Sequence, residues 1–334
     1  MPLIPHSRSL RAAVPSAGTR RMLPALAATL ALAACQSPGA GRPVAHPPAA
    51  VTAPQSAVTP ERVPACAEDA TVMEGWNERA PPRRIHGDTW YVGTCGLTSL
   101  LVASDQGHVL IDGATEAAGP HIEANIRALG FDPRDVKYLL NSHEHYDHAA
   151  GLAHLQEVSG APVLARAPAV ATLRSGRSDR SDPQQGVAPS FPAVARVETI
   201  ADGDTVRVGT LVLTAHATPG HTPGGTTWTW RSCEDGRCLD IAYTDSVGAM
   251  SDKTYRYLDH PDMVAAFHRG LDTLAGLPCD IHIAPHPGIG ELFARLDGKD
   301  GKALVDPQAC RRYAEAGRAR LEQRLDQEAR GLKP

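Results

Sequence analysis

The run His143-Glu144-His145-Tyr146-Asp147-His148 constrains what this chain can fold into more than any other feature. It follows residues 137–140, a short apolar run typical of a strand, and it precedes a predicted helix at residues 151–158. In an extended chain the first two histidines of the run would share a face. Three histidines and an aspartate at one strand end would be costly to bury without a cation. The run therefore predicts a metal site with the ligands His143, His145, Asp147 and His148.

Two histidines elsewhere in the chain are expected to complete the site. His221 lies in residues 219–225, a segment rich in Gly and Pro directly after a predicted strand. His286 lies in residues 284–288, just past the end of another predicted strand. Loops at strand ends commonly carry binding and catalytic side chains. We therefore expect both histidines to converge on the run at residues 143–148.

The alternation of apolar runs and turn residues predicts two successive sets of strands with accompanying helices. The first set comprises strands at residues 90–94, 98–103, 108–112, 137–140 and 161–165, with helices at 117–129 and 151–158. Residues 174–192 are polar and without periodicity, which is typical of a functional or disordered loop. The second set comprises strands at residues 205–217, 226–231, 239–243 and 280–284, with helices at 260–275 and 307–332. Two similar halves of this kind predict two sheets packed face to face with helices outside.

Residues 1–35 are typical of an export signal. Two arginines, Arg20 and Arg21, precede residues 22–34, an apolar stretch too short to span a bilayer as a stable helix. The segment ending in Cys35 resembles the lipobox of bacterial lipoproteins, in which the cysteine is lipidated; ordinary signal-peptidase cleavage nearby is the alternative. Residues 36–64, rich in Pro and Ala, are typical of a flexible tether. We therefore expect a periplasmic protein, soluble or anchored to the outer membrane through Cys35, with one folded domain over residues 65–334.

An exported chain meets an oxidising compartment, where its cysteines are expected to pair. The chain has seven cysteines, and setting aside the lipidation candidate leaves six. One pair flanks a turn between two strand-like runs, a second joins the start of a strand to the last predicted helix, and the third follows by elimination. The expected disulfides are Cys233–Cys238, Cys279–Cys310 and Cys66–Cys95. A zinc ribbon is excluded, because it needs two close cysteine pairs and the chain has one.

The charge balance argues against a nucleic-acid partner. The net charge is −4 at pH 7 and aromatic residues make up 4% of the chain. There is thus no basic field to attract phosphates and little aromatic surface on which bases could stack.

The HxHxDH pattern, followed by two isolated loop histidines, resembles the metallo-β-lactamase superfamily and, within it, the subclass B3 enzymes of the bacterial periplasm. The resemblance extends from about Cys66 to the C-terminal helix. It is carried by residues 90–94, 141–148, 219–225, the hairpin between Cys233 and Cys238, and residues 243–246 and 285–287. It implies an α/β fold, the four-layer αββα sandwich of that superfamily.

The resemblance also implies a site for two Zn²⁺ ions. The first zinc would be held by His143, His145 and His221, and the second by Asp147, His148 and His286. A hydroxide shared by the two ions would attack the lactam carbonyl, and Asp147 would orient this nucleophile or serve only as a ligand. The implied substrate contacts are Ser246, Gln184 and Thr222. The activity implied is hydrolysis of the β-lactam ring of penicillins, cephalosporins and carbapenems, conferring antibiotic resistance, by a protein expected to be a monomer.

Two adjacent residues further along the chain than His221, Asp245 and Ser246, bear on the type of hydrolase. In many hydrolases of the superfamily an aspartate here bridges both metals, whereas subclass B3 enzymes have a serine. Strand alternation allows only one of Asp245 and Ser246 to point inward, and we favour Ser246 because subclass B3 enzymes commonly show the same pair. The family often carries a second hydroxyl residue two places later, where this chain has Gly248.

Two other functions stay open on the sequence alone. A lactone or thioester hydrolase of the same superfamily would have Asp245 bridging both metals. A non-catalytic lipoprotein that uses metal for structure would have a closed coordination shell with no position for water.

Overall fold

The alternating apolar residues of the chain form two β-sheets. This computed structural model describes residues 63–66 and 73–332, which belong to one unit extending from Pro60 to Pro334. The predicted export signal, the lipidation candidate Cys35 and most of the predicted tether lie outside the described residues. They therefore stay predictions.

The first sheet contains seven strands whose spatial order is their order in the chain. They are β1 Arg83–His86, β2 Thr89–Tyr91, β3 Leu100–Val102, β4 His108–Ile111, β5 Val136–Leu140, β6 Val163–Ala165 and β7 Val197–Thr199. Strands β1 to β4 form an antiparallel meander, and β4 to β7 pair in parallel. Parallel pairing requires crossover connections, and helices from this half of the chain supply them.

The second sheet contains five strands in the spatial order β12-β11-β10-β9-β8. They are β8 Thr205–Val208, β9 Leu211–Ala217, β10 Thr226–Glu234, β11 Arg237–Tyr243 and β12 Ile281–Ile283. Strands β8 to β11 are antiparallel neighbours, while β12 returns after a long helix and pairs in parallel with β11. Each half of the chain thus builds its own sheet.

Most of the helices lie on the outer faces of the two sheets, whereas the short helix Leu292–Leu296 packs against the core between them. The helices are α1 Gly119–Ala128, α2 Tyr146–Ala149, α3 Leu152–Ser159, α4 Ala167–Ser175, α5 Pro261–Gly276, α6 Leu292–Leu296 and α7 Ala309–Ala329, with single 3₁₀ turns at Glu116–Ala118, Pro133–Asp135, Tyr257–Asp259 and Lys299–Gly301. Within the described ranges, none of these helices combines the length and apolar character that crossing a bilayer requires.

The core lies between the sheets, as strand alternation dictates. Alternate residues of the first sheet, such as Leu100 and Val102, pack against Trp228 and Ile241 of the second. The intervening residues of the first sheet face outward and pack against helices α1, α3 and α4. Helices α5 and α7 form a separate cluster outside the second sheet. The predicted α/β four-layer αββα sandwich is confirmed.

Five helices and strands were not predicted from the sequence, namely the short helices α2 and α6, the strands β1 and β7, and helix α4. Strand β1 has the sequence Arg-Arg-Ile-His, which lacks an apolar alternation, and it lies at the edge of its sheet. Strand β7 has three residues, of which only Val197 is buried. Helix α4 buries a single short stripe, namely Ala169, Thr172 and Leu173. The prediction that an irregular loop begins at residue 174 is therefore wrong by two residues, because α4 continues to Ser175.

The structure pairs six cysteines in the way expected from the sequence. The disulfides are Cys66–Cys95, Cys233–Cys238 and Cys279–Cys310. The second joins β10 to β11 across their hairpin, and the third ties the start of α7 to the segment before β12. All three close loops within the sandwich.

Candidate metal centre

The run at residues 143–148 begins just past the end of β5 and enters α2 at Tyr146. The loops after β9 and β12 reach the same point from the second sheet. As a result, single ligand atoms of His143, His145 and His221 all lie within 4.8 Å of one another. The corresponding atoms of His143, Asp147 and His148 form a second group of the same tightness. Two adjacent groups that could hold a metal therefore share His143.

A buried carboxylate lies directly behind the ring of His143. Its Nδ1 lies 2.9 Å from Oδ1 of Asp245, and both side chains are buried. Its other ring nitrogen, Nε2, is also buried and has no hydrogen-bond partner. Buried polar atoms are almost always satisfied, so an unpaired nitrogen aimed into a cluster of potential ligands fits a metal ion. The Asp245 contact fixes which nitrogen is left for that ion.

His145 and His221 are held in the same manner. Nε2 of His145 lies 3.2 Å from both carboxylate oxygens of Asp182, which leaves Nδ1 available as a ligand atom. Nδ1 of His221 lies 3.0 Å from the carbonyl oxygen of Gly248 and donates to it, which leaves Nε2 available. Metal-binding histidines commonly donate their second N–H to a carboxylate or a main-chain carbonyl. All three imidazoles of the first group follow this pattern.

Asp147 joins the second group of ligands. Its Oδ2 lies 3.2 Å from Nε2 of His148 and 3.4 Å from Nε2 of His286. Nδ1 of His148 faces Oδ2 of Asp112 at 3.4 Å. The three side chains expected to hold the second ion, including His286 from the loop after β12, are thus brought together around one carboxylate oxygen.

Asp112 is a buried carboxylate that the sequence did not single out. It accepts hydrogen bonds from the main-chain N–H of Ser142 at 2.7 Å and from the hydroxyl of Tyr243 at 2.7 Å. It therefore links the end of β5 to the second sheet directly behind His148.

The protonation states of two histidines differ because of their surroundings. Burial, followed by the nearby His145, lowers the pKa of His221 to about 3, so its imidazole is neutral and able to bind a metal. Burial acts in the same direction on His148, but the negative charges of Asp147 and Asp112 outweigh it and raise its pKa to about 10. A metal binding to His148 must displace that proton.

Glu144 lies within the run but points away from the ligands. One carboxylate oxygen accepts from the hydroxyl of Thr222 at 2.8 Å, and the other accepts from the main-chain N–H of Gly224 at 3.0 Å. Glu144 therefore holds the loop that carries His221. Thr222, expected to contact substrate, is fully buried and uses its hydroxyl in this bond, and it is not among the residues that line the cleft.

The metal ligands open into a cleft of about 680 Å³. Its polar lining includes His145, Asp147, Gln184, His221 and Ser246. Its walls are largely apolar, with lining side chains that include Trp76, Val187, Met250 and Ile289. A mostly apolar cleft with a few convergent polar groups is the usual form of a small-molecule site.

The sequence left open whether Asp245 or Ser246 points inward, and the structure distinguishes the two. Ser246 lines the cleft, as does Gln184, whereas Asp245 is fully buried behind His143. Among the described residues, Asp245 belongs to neither group of potential metal ligands. It therefore does not take the bridging position that a lactone or thioester hydrolase would require.

One wall of the cleft is formed by residues 176–196, which we call the cleft loop. It carries Asp182, the partner of His145, together with Gln184. The buried carboxylate of Asp252 holds this loop by accepting hydrogen bonds from Arg180 at 2.7 Å and from the main-chain N–H of Gly186 at 2.8 Å. Neither Asp182 nor Asp252 was identified from the sequence. The only local signal is the Asp182-Pro183-Gln184 turn, which drew attention to the glutamine instead.

Comparisons with known proteins agree with this geometry. Residues 92–291 match the model of the metallo-beta-lactamase superfamily. The solved metallo-beta-lactamase SMB-1, bound to 2-mercaptoethanesulfonate, is 48% identical with a TM-score of 0.74, over 76% of this chain and 99% of that one. MIM-1 from Novosphingobium pentaromativorans is 49% identical with a TM-score of 0.73, over 77% of this chain and 93% of that one. MEM-A1, a subclass B3 metallo-beta-lactamase from a soil metagenome library, is 44% identical with a TM-score of 0.73, over 77% and 99% respectively.

The chain is also similar to curated proteins of another activity. Hydroxyacylglutathione hydrolases from Bradyrhizobium sp. (strain ORS 278) and Methylobacterium sp. (strain 4-46) are 28% identical over 158 residues and 32% identical over 131 residues, 45% and 37% of this chain. The matched region spans about half the length of these relatives, 52% and 43% respectively.

Proposed function

The chain belongs to the metallo-beta-lactamase superfamily and, within it, to subclass B3, and we propose that it hydrolyses the β-lactam ring of penicillins, cephalosporins and carbapenems. Such an activity would confer antibiotic resistance. The observation that carries the proposal is the orientation of two adjacent residues: Ser246 lines the cleft, while Asp245 lies behind His143. This is the arrangement that the subclass B3 resemblance implies.

We propose zinc as the metal, with two ions per chain. Imidazole nitrogens with one carboxylate are ligands that zinc commonly takes in catalytic sites. Two groups of potential ligand atoms, each within 4.8 Å and sharing His143, support a pair of ions. The first ion would take His143, His145 and His221, and the second Asp147, His148 and His286. When bound, zinc supplies a water that is deprotonated near neutral pH and a Lewis acid for a carbonyl oxygen.

The residues of the chain orient the ligands and the substrate. Asp182, Asp245 and the carbonyl of Gly248 hold three imidazoles, so that little reorganisation is needed during the reaction. The Asp147 side chain is 15% exposed, which places its carboxylate where it can accept a hydrogen bond from a water in the cleft. Gln184 and Ser246 present polar groups to a substrate lying along the apolar walls.

The direct test uses the purified, zinc-loaded protein with a carbapenem and a chromogenic cephalosporin. We expect turnover of both substrates, lost on addition of EDTA and restored by zinc. An absence of EDTA-sensitive turnover of either substrate would reject the proposed function.

A single substitution tests the assignment of the first metal group. His221→Ala removes one of three ligands, and we expect turnover to fall to background while the disulfide-linked fold is retained. The matched control is His216→Ala, because His216 bonds to Thr229 on the neighbouring strand and does not line the cleft. Circular dichroism checks the fold of both variants. Full activity of His221→Ala would contradict the assignment.

A lactone or thioester hydrolase is the second candidate. The similarity to hydroxyacylglutathione hydrolases supports it, but their identity is lower than that of the metallo-beta-lactamases, and Asp245 contacts the far ring nitrogen of His143 and does not line the cleft. Parallel kcat/KM measurements on a hydroxyacylglutathione and a cephalosporin would rank the two. A non-catalytic metal module is not favoured, because ligand side chains from both groups line an open cleft.

We also propose that the protein is exported to the periplasm and functions there as a monomer. The sequence of residues 1–35 and the six paired cysteines support export. Cell fractionation tests the location. The mass of the mature N-terminus distinguishes a lipid on Cys35 from ordinary cleavage, and size-exclusion chromatography with light scattering tests the oligomeric state.

A further inference from the structure

One stripe of residues on helix α7 packs against residues 245–251, which border the cleft. The hydroxyl of Tyr313, near the start of the helix, donates to the carbonyl oxygen of Asp245 at 3.1 Å. Gly317, one turn further, packs so closely on Val247 that an added Cβ would lie 2.8 Å from that side chain. Arg324, two turns after Gly317, donates to the hydroxyl of Ser251 at 2.6 Å. The helix therefore runs alongside residues 245–251 in the same direction.

Arg320 occupies the position on this stripe that lies next to the cleft. It follows Gly317 by three residues and precedes Arg324 by four, so the three share one face of the helix. The neighbouring segment at this level is residues 248–250, and both this segment and Arg320 line the cleft. Local sequence does not mark Arg320, because it is one of several arginines in a charged helix.

The charge of Arg320 is available to a ligand. Its side chain is exposed, and no carboxylate of the described residues forms an ion pair with it. Arg324, by contrast, is buried and paired with Glu328 at 2.7 Å. Arg320 is also the only Arg or Lys among the described residues that line the cleft. An anionic ligand entering the cleft thus meets one permanent positive charge besides the metal centre.

Gly248 leaves the adjacent wall without a polar side chain. A Cβ added there would meet Met250 at 3.5 Å and Nδ1 of His221 at 3.8 Å, which are ordinary contact distances. Packing therefore does not require a glycine at this position. The hydroxyl that similar enzymes often carry here is absent, and Arg320 lines the same cleft as Gly248.

We infer that Arg320 binds the carboxylate of the substrate and replaces the hydroxyl contact that Gly248 lacks. The inference rests on the proposed function, since penicillins, cephalosporins and carbapenems carry a carboxylate on the ring fused to the lactam. A planar guanidinium pairs with a carboxylate through two parallel hydrogen bonds. It also attracts an anionic substrate toward the cleft before contact.

The test compares a chromogenic cephalosporin with its neutral methyl ester. We expect Arg320→Ala to lower kcat/KM for the free acid about tenfold, mainly through KM, as loss of one charge-assisted contact predicts, and to leave the ester unaffected. Arg311→Ala is the matched control, because Arg311 lies on the same helix and does not line the cleft. Introducing Gly248→Ser into the Arg320→Ala background should recover part of the lost preference for the acid.

The possible outcomes separate the inference from the function on which it rests. The deciding quantity is the ratio of kcat/KM for the free acid to kcat/KM for the ester. If Arg320→Ala left this ratio unchanged, or if Arg311→Ala reduced it equally, the inference would be overturned while β-lactam hydrolysis stood. If the wild-type protein turned over neither compound, the proposed function would fail and the inference with it. If Arg320→Ala unfolds at the same temperature as the wild-type protein, its loss of kcat/KM is not caused by a loss of fold.

Discussion

Each histidine of the first metal group is held by the ring nitrogen that faces away from the shared centre. The groups behind these nitrogens are the carboxylate of Asp245, 2.9 Å from Nδ1 of His143, the carboxylate of Asp182 and the carbonyl oxygen of Gly248. They come from two loops, since Asp245 and Gly248 both lie in the segment after β11 and Asp182 lies in the cleft loop. The ligand geometry therefore depends on residues that a ligand motif does not include.

Asp245→Asn tests this dependence. The amide keeps the shape of the side chain but replaces one of the carboxylate oxygens behind His143 with an NH₂ group, and partners of this kind typically contribute 10- to 100-fold to metal affinity. We expect a decrease in zinc affinity of about that size, measured by competition with a chromophoric chelator.

Ser246→Ala is the matched control for Asp245→Asn, since its side chain lines the cleft on the other face of the segment. We expect it to alter KM and to leave zinc affinity unchanged. Equal zinc affinities for wild type and Asp245→Asn would show that Asp245 does not support the metal site.

The residues of the site differ in how far they could be predicted. His143 to His148 stand together in the chain, and His221 and His286 lie in loops rich in Gly and Pro, so local sequence marks them. Asp112, Asp182 and Asp252 are single carboxylates in ordinary surroundings. Their roles arise only when segments distant in the chain pack together, and one sequence contains no signal for that.

At the scale of elements, the cleft loop is positioned by one buried carboxylate. Asp252→Asn should weaken its bonds to Arg180 and Gly186 and destabilise the protein by about 1–3 kcal/mol, the range for leaving buried hydrogen-bonding groups imperfectly paired. Hydrogen exchange of residues 176–196 should increase relative to the rest of the protein. Unchanged exchange there would contradict the role of Asp252.

The same contact predicts a pH dependence. Burial alone would raise the pKa of Asp252, but hydrogen bonds from Thr254, Arg180 and Gly186 outweigh it and hold the pKa below the usual range. A carboxyl with a lowered folded-state pKa stabilises the protein above its unfolded pKa, near 4, and this contribution is lost as pH falls below that value. The difference in Tm between wild type and Asp252→Asn should therefore shrink between pH 6 and pH 3. A constant difference would be inconsistent with this account.

Elements with strong periodicity could be predicted, and short ones could not. Strand β10 and helix α5 follow from alternating and helical apolar patterns. The single strand predicted at residues 205–217 is instead divided into β8 and β9 by a turn at Gly209, whose φ is positive. Strand β1 and helix α4 are stabilised by what they pack against, since each buries few residues of its own. They can be assigned only when the sheet against which they pack is known.

At the scale of the whole molecule, the three disulfides should contribute unequally to stability. Cys279–Cys310 spans 31 residues and Cys233–Cys238 spans 5. Because the entropy removed from the unfolded chain grows with loop length, their loss should cost about 3–4 and about 2 kcal/mol respectively. Denaturant unfolding of the two Cys→Ser double variants measures this. An equal or inverted order would contradict the chain-entropy explanation.

The main-chain acceptor of His221 has a consequence for how this protein can change under selection. A substitution can delete the carboxylates behind His143 and His145, but none can delete the carbonyl oxygen of Gly248. At position 248 the main chain therefore keeps its hydrogen bond to His221 whatever the side chain is, so the side chain is free to vary. Random mutagenesis should tolerate small polar residues at 248 and reject most changes at 182 and 245. Evolution can adjust substrate preference here in single steps without disturbing the metal centre.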